Sequence, residues 1–488
     1  MATPRLCATV TAATMAELRA KRDAVRGADL VELRLDGVRD LSAAAALAGR
    51  RTPVIVTCRP AWEGGRFDGS EAERLALLTE AWTMGAEYVD VEWKADARAL
   101  FERTGGQRVV LSMHDFEGVP ADLEARVHAM RTTGAEVLKI AVHARRLRDQ
   151  LALLPLARSG GVPMALVAMG EAGLATRLLP GRFGSCWTYG GDAAPGQMPI
   201  ARMLEEFGVR RTGTRTAIYG VVGRPVGHSV SPAMHNAAFR AAAIDAVYLP
   251  FAAESLADFF ALAEALGVTG ASVTAPFKRE AFDAADEADP VSRRVQSVNT
   301  LRRSGRGWTG CNTDVNGFLT PLVRRGPLTG LQASILGAGG AARGVAIALS
   351  SGGARVCVHA RQREEAAAVA EACGGTTGPW PPEAGSWDLL VNATPVGTYP
   401  DVEATPIPAA SLTGGRVYDL VYNPVSTRLL RDAEAAGCEV IAGLDMLVAQ
   451  ALQQFEWWTG VRPSERVMRA AAEARLKAMV EEDGTSRV

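Results

Sequence analysis

The sequence predicts an α/β protein in two parts, an N-terminal (β/α)8 barrel followed by a two-lobed α/β region. Eight short apolar runs alternate with helical patterns in the first two hundred of the 488 residues. A polar, arginine-rich stretch, residues 208–216, separates them from a second series of apolar runs. A glycine-rich turn at residues 337–344 stands between an apolar run and a helical pattern, which is typical of nucleotide-binding folds. A chain of this length is expected to form two or three domains.

The barrel prediction depends on the strand candidates of the N-terminal region. These are Leu6–Val10, Leu30–Leu35, Val54–Cys58, Tyr88–Glu92, Val109–Ser112, Val137–Ala141, Met164–Ala168 and Gly184–Thr188. Helical patterns lie between them, among them Thr14–Arg26, Glu71–Met84, Ala121–Thr132 and Leu147–Ser159. The same alternation could also build an open doubly wound sheet, and the count of eight favours the closed barrel.

The composition indicates a globular protein that acts on small molecules. Hydrophobic residues make up 48% and charged residues 22% of the chain, as in ordinary soluble domains. A net charge of −1 without a basic block argues against a nucleic-acid partner. No apolar run approaches the roughly 18 residues that a membrane span requires. The N-terminus runs directly into a strand candidate, so we expect no signal peptide.

Seven cysteines are scattered along the chain, form no CxxC pair and share no metal-ligand spacing with the six histidines. We therefore expect no bound metal, and reduced thiols in a cytoplasmic protein. The cysteines are Cys7, Cys58, Cys186, Cys311, Cys357, Cys373 and Cys438.

One lysine, Lys139, interrupts the sixth apolar run, residues 137–142. A cation inside a buried strand is unfavourable unless it is neutralised or used. Burial favours the neutral amine, which is the form that attacks a carbonyl. The placement suggests a Schiff-base lysine, and the alternative is a lysine whose ammonium group reaches solvent at the strand end.

Other polar residues cluster at or just after the C-terminal ends of the predicted strands, where barrel enzymes carry their active sites. They are Glu32, Arg34, Arg59, Glu63, His114, Arg177 and Gln197. Arginines can clamp a carboxylate, a lysine imine acidifies the neighbouring C–H bond, and a histidine can move the proton. Together they predict imine-assisted elimination or aldol chemistry on a polar keto acid.

Residues 4–207 resemble type I 3-dehydroquinate dehydratase. The motifs that carry the resemblance are Glu32-Leu33-Arg34-Leu35-Asp36, Arg59 with Glu63-Gly64-Gly65, Ser112-Met113-His114-Asp115-Phe116, Lys139-Ile140-Ala141 and Ala194-Pro195-Gly196-Gln197. The resemblance implies a TIM barrel that converts 3-dehydroquinate to 3-dehydroshikimate, with Lys139 as the Schiff-base residue and His114 as the general acid/base. It further implies that the substrate is held by Glu32, Arg34, Arg59, Glu63, Arg177 and Gln197. Ala193 departs from the family, which often has serine at this place.

The run Ile335–Gly344, which contains the glycine-rich turn, matches G-x-G-x-x-A between a strand and a helix. Glycines allow the backbone to approach a pyrophosphate at the helix N-terminus. The next predicted strand ends near Arg361, where an NAD site would usually offer Asp or Glu to the ribose. Arg361 could meet a 2′-phosphate and favours NADP, although a solvated arginine at a helix start would look the same.

Several polar motifs precede this turn and could together bind a polyhydroxy acid. They contain Ser229 and Ser231, Thr274 and Lys278, Asn299, and Asp314. Lys278 paired with Asp314 could pass a proton to a ketone oxygen while hydride arrives from a nicotinamide.

Residues 216–482 resemble shikimate dehydrogenase through these motifs, the glycine turn, and the runs 392–397, 419–424 and 443–450. The resemblance implies that Lys278 and Asp314 are the catalytic pair and that shikimate is bound by Ser229, Ser231, Thr274, Asn299, Tyr422 and Gln450. It implies an NADP site in a Rossmann-type domain, lined by Gly337, Ala338, Gly339, Gly340, Ala341, Arg361, Thr394, Leu420 and Gly443. In the usual Asn-Arg-Thr run of the family only the arginine remains, in Ala360-Arg361-Gln362.

The predicted boundaries are residues 1–210 for the barrel, 216–325 with 445–484 for the substrate-binding domain, and 326–444 for the NADP domain. The first hypothesis is a bifunctional shikimate-pathway enzyme with 3-dehydroquinate, 3-dehydroshikimate and shikimate as its small-molecule ligands. A catabolic quinate or shikimate dehydrogenase fused to a dehydratase is the second, and a metabolite-sensing regulator is the third. The sequence does not predict the oligomeric state.

Overall fold

The computed structural model describes residues 4–158, 160–191, 193 and 196–485. The chain forms two compact units. One contains the residues up to Gly227 together with Asp245–Val268, and the other contains His228–Ile244 together with the residues from Thr269 onward. The predicted domain boundaries stay a prediction.

The first eight strands form the predicted barrel. They are β1 Arg5–Thr11, β2 Leu30–Arg34, β3 Val54–Thr57, β4 Tyr88–Glu92, β5 Val109–Asp115, β6 Val137–His143, β7 Met164–Met169 and β8 Trp187–Gly190. Each strand from β1 to β7 pairs in parallel with its sequence neighbour, and β8 pairs in parallel with β1. A parallel bridge between Met164 and Ser185 joins β7 to the approach of β8 and closes the ring. The barrel prediction is confirmed, and the open-sheet alternative is excluded.

The eighth strand begins three residues later than the predicted Gly184–Thr188. Gly184 adopts a left-handed conformation with φ +65°, which ends the preceding turn. Below the polar end of the barrel, Cys7, Leu30 and Trp187 belong to a buried apolar cluster that fills the interior.

Within the described part of the barrel region, eight α-helices accompany the strands. They are α1 Met15–Ala24, α2 Ala43–Leu47, α3 Glu71–Thr83, α4 Arg98–Thr104, α5 Leu123–Arg131, α6 Leu154–Arg158, α7 Leu174–Leu178 and α8 Ile200–Glu205. The predicted α-helix over Leu147–Ser159 is only partly correct, because Leu147–Leu153 is a 3-10 helix and only α6 is α-helical. Pro155 lacks a backbone N–H and fits the first turn of a helix, so the α-helix begins beside it. Ser159 lies outside the described residues, as do Ala194 and Pro195 of the motif after β8.

Residues 217–325 form short strands and five helices. Strands β9 Ala217–Gly223 and β10 Ala246–Ala252 pair in parallel within the first unit. Next come β11 Val268–Val273, β12 Glu287–Ala288, β13 Thr300–Ser304 and β14 Gly307–Cys311. Strand β13 pairs antiparallel with both β11 and β14, and β12 pairs in parallel with β14. The helices are α9 Ser231–Ala241, α10 Leu256–Leu266, α11 Lys278–Ala284, α12 Pro290–Val295 and α13 Asp314–Val323.

A third sheet is wholly parallel and has the Rossmann strand order. Its strands are β15 Gln332–Leu336, β16 Arg355–His359, β17 Thr376–Thr377, β18 Leu389–Asn392, β19 Arg416–Asp419 and β20 Glu439–Ile441. They lie in the order β17-β16-β15-β18-β19-β20, which places the switch point between β15 and β18. Strand β17 has only two residues, both exposed, so no apolar run marks it in the sequence.

Three helices lie within this region and two follow it. They are α14 Gly340–Ser351, α15 Arg363–Cys373, α16 Arg428–Ala435, α17 Gly443–Thr459 and α18 Glu465–Thr485. The sequence predicts helices over Asp445–Trp458 and Glu465–Glu481, and the structure confirms both, with α17 beginning two residues earlier and α18 ending four residues later. Helix α13 packs along α17, so that a Cβ atom on Gly317 would lie 2.7 Å from Cβ of Gln450.

Candidate active sites

Lys139 lies inside the barrel with its amine between two carboxylates. Its Nζ is 3.0 Å from Oε1 of Glu32 and 3.4 Å from Oδ2 of Asp90, and it lies 4.4 Å from the centre of the Tyr189 ring. Lys139 is only 7% exposed. The ammonium group therefore does not escape to solvent, and the alternative left open by the sequence is wrong.

Glu32 is held as a carboxylate by its neighbours. It accepts hydrogen bonds from the Thr9 and Thr57 hydroxyls at 2.9 and 3.1 Å. Burial alone would raise the pKa of Glu32, but the positive charge of Lys139, with smaller effects from Arg34 and Arg59, lowers it to about 2. The wall beside the amine therefore carries a fixed negative charge.

The buried guanidinium of Arg59 contacts side chains of both β4 and β5. Its guanidinium lies 3.0 Å from Asp90 and 2.6 Å from Glu92, and it donates to the Ser112 hydroxyl at 2.7 Å. Glu92 in turn pairs with the fully buried Arg74. Because Arg59 and Arg74 pair with Asp90 and Glu92, this cluster of buried charges avoids the cost of isolated ions.

His114 faces the same interior as Lys139. Strand register pairs Ser112 with Lys139, which places His114 two residues further toward the C-terminal end on the same face. Its Nδ1 lies 3.0 Å from Oε1 of Glu63, which also accepts from the His114 backbone N–H at 2.9 Å. Burial, reinforced by the charges of Arg59, Lys139 and Arg34, holds the pKa of His114 well below its usual value. Neutral His114 can accept a proton.

Glu63 titrates near neutrality in this environment. Burial raises its pKa to about 7, against the lowering effect of Arg59. The glycines that follow explain how the carboxylate reaches His114: Gly64 has φ +76°, and a Cβ atom on Gly65 would lie 2.0 Å from the Arg59 carbonyl oxygen. Only glycine permits this tight turn.

The other predicted barrel residues line one cavity of about 140 Å³ with Lys139 and His114. Arg34 forms a two-pronged ion pair with Asp36 at 2.8 and 2.9 Å. Arg177 is buried and donates to the Tyr189 carbonyl, and burial lowers its pKa to about 10. Gln197 accepts from the Ala193 backbone N–H at 2.8 Å, so the position that departs from the family supplies an N–H to the cavity wall.

Sequence reasoning missed two carboxylates of this site, Asp90 and Glu92. Both are completely buried on β4, and both pair with Arg59. The signal was present, because two acidic residues that alternate within an apolar strand share one face, as Glu32 and Arg34 do.

The second site contains a partly exposed lysine paired with a carboxylate. Nζ of Lys278 lies 2.7 Å from Oδ2 of Asp314, at the first residue of α11 and of α13 respectively. Asn299 donates to the other Asp314 oxygen at 2.7 Å, and its own amide oxygen accepts from the Thr313 backbone N–H. Asp314 is thus oriented, while the amine stays accessible.

A cavity of about 640 Å³ joins this pair to the start of α14. Thr274, Lys278 and Asp314 line it together with Gly340 and Ala341. Of the other predicted substrate residues, Asn299 contacts Asp314 as described, but in the part of the chain that is described Ser229, Ser231, Tyr422 and Gln450 do not line this cavity. The Ser229 hydroxyl accepts from the Ser231 N–H, Gln450 donates to the Leu447 carbonyl, and burial raises the pKa of Tyr422.

The glycine turn after β15 fits a dinucleotide phosphate. Gly337 has φ +106°, and its N–H donates to the His359 carbonyl at the end of β16. A Cβ atom on Gly339 or Gly340 would meet no described atom within 4 Å, so the backbone before α14 is open to a ligand. Ala338 lies between these glycines, and α14 directs its N-terminal N–H groups to the opening.

The remaining predicted cofactor residues surround the same sheet edge. Arg361 is exposed just after β16. Thr394 lies against Gly337, since a Cβ there would be 3.0 Å from Cγ2 of Thr394. Gly443 approaches the Leu420 carbonyl so closely that a Cβ atom would be 2.5 Å from it.

A buried pair, Asn392 and Asp419, joins two of these loops; the two residues begin the runs 392–397 and 419–424, but the sequence analysis gave them no role. The Asn392 amide donates to Asp419 at 2.9 Å, and its oxygen accepts from the Thr394 hydroxyl. Asp419 also accepts from the Val421 N–H and the Thr427 hydroxyl. Burial raises the pKa of Asp419 to about 6.

The described residues show three further features. All seven cysteines are free thiols. No described helix is both long and apolar enough to cross a membrane. Within the described ranges, no three His, Cys, Asp or Glu side chains are arranged to hold a metal ion.

Fold and sites together define an α/β enzyme with two separate cavities, one that holds a buried lysine inside a barrel and one that holds a lysine–aspartate pair beside a sheet of Rossmann strand order. The family of type I 3-dehydroquinase matches residues 6–213. The shikimate dehydrogenase substrate binding domain matches residues 221–301, and the shikimate 5′-dehydrogenase C-terminal domain matches residues 443–473. The chain belongs to the family of bifunctional 3-dehydroquinate dehydratase/shikimate dehydrogenases.

Two relatives and one solved structure illustrate this membership. The chloroplastic bifunctional 3-dehydroquinate dehydratase/shikimate dehydrogenase of Arabidopsis thaliana is 34% identical over 476 residues, which cover 89% of this chain and 78% of that protein. The shikimate dehydrogenase (NADP(+)) of Moorella thermoacetica is 43% identical over 276 residues, 52% of this chain and 94% of its own. A crystal structure of a shikimate dehydrogenase in complex with NADP+ matches 54% of this chain and 97% of its own, with 33% identity and a TM-score of 0.51.

Proposed function

We propose that this chain catalyses two consecutive reactions, dehydration of 3-dehydroquinate in the barrel and NADPH-dependent reduction of 3-dehydroshikimate to shikimate in the second half. Family membership supports both activities. The observation that carries the proposal is the buried Lys139 amine, held between Glu32 and Asp90 in a cavity shared with His114.

In the barrel, the Lys139 amine attacks the ketone carbon of the substrate, and water leaves as a C=N bond forms. The protonated imine withdraws electrons from the adjacent carbon, so a proton there becomes acidic. Neutral His114 accepts protons, and its Nδ1 is oriented by Glu63. Loss of the β-hydroxyl as water, with a proton returned by His114, forms the C=C bond, and hydrolysis releases the product and the free lysine.

Arg34 and Arg177 are proposed to hold the polar groups of the substrate, since both residues line the cavity beside Lys139. Gln197 lies against Thr9 and Ala193 and is proposed to contact a ring hydroxyl. Arg59 forms ion pairs with Asp90 and Glu92, which supports a role in orienting these two carboxylates rather than in binding the substrate directly.

In the second half, NADPH supplies the hydride when bound. The open glycine turn and the α14 N-terminus are proposed to hold its pyrophosphate, and Arg361 its 2′-phosphate. Lys278 donates a proton to the ketone oxygen, and Asp314 with Asn299 fixes the amine in place. Ser229, Ser231, Thr274, Tyr422 and Gln450 are proposed to bind shikimate.

Separate variants test the two sites. Lys139→Ala is expected to abolish 3-dehydroquinate consumption and spare reduction, while Lys278→Ala lowers reduction by about 10²–10⁴-fold and spares dehydration. Lys94→Ala, at an exposed position, serves as the matched control. Borohydride added with substrate is expected to label Lys139; an unlabelled barrel, or a parallel fall of both activities in either variant, contradicts the two-site proposal.

The physiological direction of the reaction and the cellular location of the protein are tested separately. Initial rates with NADP and NAD on shikimate and quinate separate biosynthesis from catabolism, and preference for quinate with NAD would overturn the biosynthetic proposal. Seven free thiols support a reducing, cytoplasmic location, which cell fractionation checks. The net charge of −1 supports a role without nucleic acid.

A further inference from the structure

The segment Asp245–Val268 follows the barrel in sequence but belongs to the same compact unit. It lies inside the region that matches the shikimate dehydrogenase substrate binding domain, residues 221–301. Its helix α10 packs against the 3-10 helix Leu147–Leu153, and its strand β10 packs against α7. Dehydrogenase sequence therefore contributes to the surroundings of the barrel connections after β6 and β7.

One carboxylate in this segment, Asp258, joins the two sequences. It is completely buried, and it accepts from the backbone N–H groups of Leu147 and Arg148 at 2.9 Å each and from Nε of Arg148 at 3.2 Å. The first N–H groups of a helix have no partner within the helix. Asp258 supplies that partner from a different helix, while the first turn of α10 is capped by Ser255.

The capped helix is in turn bonded to the barrel elements that reach the active site. Its Gln150 side chain donates to the Ala172 carbonyl at 2.5 Å, just before α7. Helix α7 carries Arg177, which is buried beside the Lys139 cavity. In the connection before the capped helix, Ala144 donates to the carbonyl of Met169, which lines the same cavity.

We propose that Asp258 is a positioning residue for the dehydratase: by capping the 3-10 helix Leu147–Leu153, this residue of the dehydrogenase sequence holds Arg177 and Met169 in place at the barrel site. The inference rests on the proposed dehydratase activity and on Arg177 as a substrate-binding group. Asp258 itself touches neither substrate nor Lys139. Misplacement of Arg177 weakens binding, whereas the imine chemistry of Lys139 is untouched.

The test is Asp258→Asn in the full chain, with Glu264→Gln on the exposed side of α10 as the matched control. Each Asp258 oxygen accepts two hydrogen bonds, Oδ2 from the Leu147 and Glu254 N–H groups and Oδ1 from the backbone N–H and Nε of Arg148. An amide replaces one oxygen by an NH2 group, so one of the two backbone bonds to the 3-10 helix is lost together with a second bond. We expect KM for 3-dehydroquinate to rise roughly tenfold, with kcat changed less than about threefold and shikimate dehydrogenase activity unchanged. Arg148→Ala keeps both backbone bonds and is expected to raise KM about twofold.

Amide hydrogen exchange reports the cap directly. In Asp258→Asn, faster exchange at Leu147 and Arg148 together with the raised KM supports the proposal. Faster exchange with an unchanged KM, or a fall of kcat without a change in KM, overturns it, because the cap then has no link to substrate binding. A wild-type chain that consumes no 3-dehydroquinate refutes the dehydratase itself, a result distinct from an active wild type whose variant keeps its KM.

Discussion

Replacing Glu63 with glutamine is expected to make the barrel more stable and less active. The Glu63 carboxyl is buried, and burial raises its pKa from an ordinary 4.5 to about 7. In the unfolded chain the group loses its proton near pH 4.5, whereas the folded protein holds it until about pH 7. The free energy of unfolding therefore falls as pH rises between these values and stays low above them.

The size of this effect follows from the pKa difference. A difference of about 2.5 in pKa corresponds to ~3 kcal/mol. Glutamine cannot ionise, so Glu63→Gln avoids this loss, but it makes weaker hydrogen bonds to the two His114 donors, at ~1 kcal/mol each. We expect a net gain of ~1 kcal/mol at pH 8, a rise of roughly 2–4 °C in the barrel transition, and no gain at pH 5.

Scanning calorimetry at pH 5 and pH 8 measures the change in stability. The dehydratase rate between pH 5.5 and 8.5 measures the change in activity. The wild-type rate is expected to rise with pH through about 7, as ionised Glu63 orients His114. The variant should lose that rise and roughly 10–100-fold in rate at pH 8. Glu102→Gln, on an exposed helix, is the control. A variant less stable at pH 8 than at pH 5 relative to wild type, or one that keeps the titration, refutes the reasoning.

Three further substitutions test other parts of the two sites. Gly65→Ala places a Cβ atom 2.0 Å from the Arg59 carbonyl oxygen, so we expect the free energy of unfolding of the barrel, measured by denaturation, to fall by ~2–4 kcal/mol and dehydration to become slower. Gly118→Ala, at an open position, is the control, and equal behaviour of the two alanine variants would contradict the prediction. Asp419→Asn removes the charged acceptor that joins the loops after β18 and β19. We expect KM for NADPH to rise about tenfold in initial-rate assays, and an unchanged KM would contradict a role of the Asn392–Asp419 pair in cofactor binding. Arg361→Ala should reduce the ratio of NADP to NAD kcat/KM by roughly 10–100-fold, unlike Arg363→Ala.

Much of the fold follows from residue patterns because its elements are regular. Parallel barrel strands are buried on both sides, so they read as continuous apolar runs, and eight such runs sufficed to predict the ring. The exceptions are local. Leu147–Leu153 has an apolar pattern that a helix of either type can satisfy, and Pro155 fixes where the α-helix begins.

The sites were only partly accessible to sequence reasoning. Lys139, His114 and Lys278 stand out because a charged or titratable residue is unusual beside a buried strand. Asp90 was not predicted, although its alternation with Glu92 along one strand is the same pattern as that of Glu32 with Arg34. The cap by Asp258 could not be foreseen, since no local pattern connects positions 147 and 258.

The two carboxylates beside Lys139 have a consequence for the fate of the nitrogen after it has reacted. An imine nitrogen withdraws electrons effectively only while it carries a proton. In an apolar pocket without a counterion, the protonated imine would lose that proton. Glu32 and Asp90, at 3.0 and 3.4 Å, remain in the wall whether the nitrogen belongs to a free amine or is bonded to carbon. The barrel thus provides a permanent counterion for a cation that exists only during turnover.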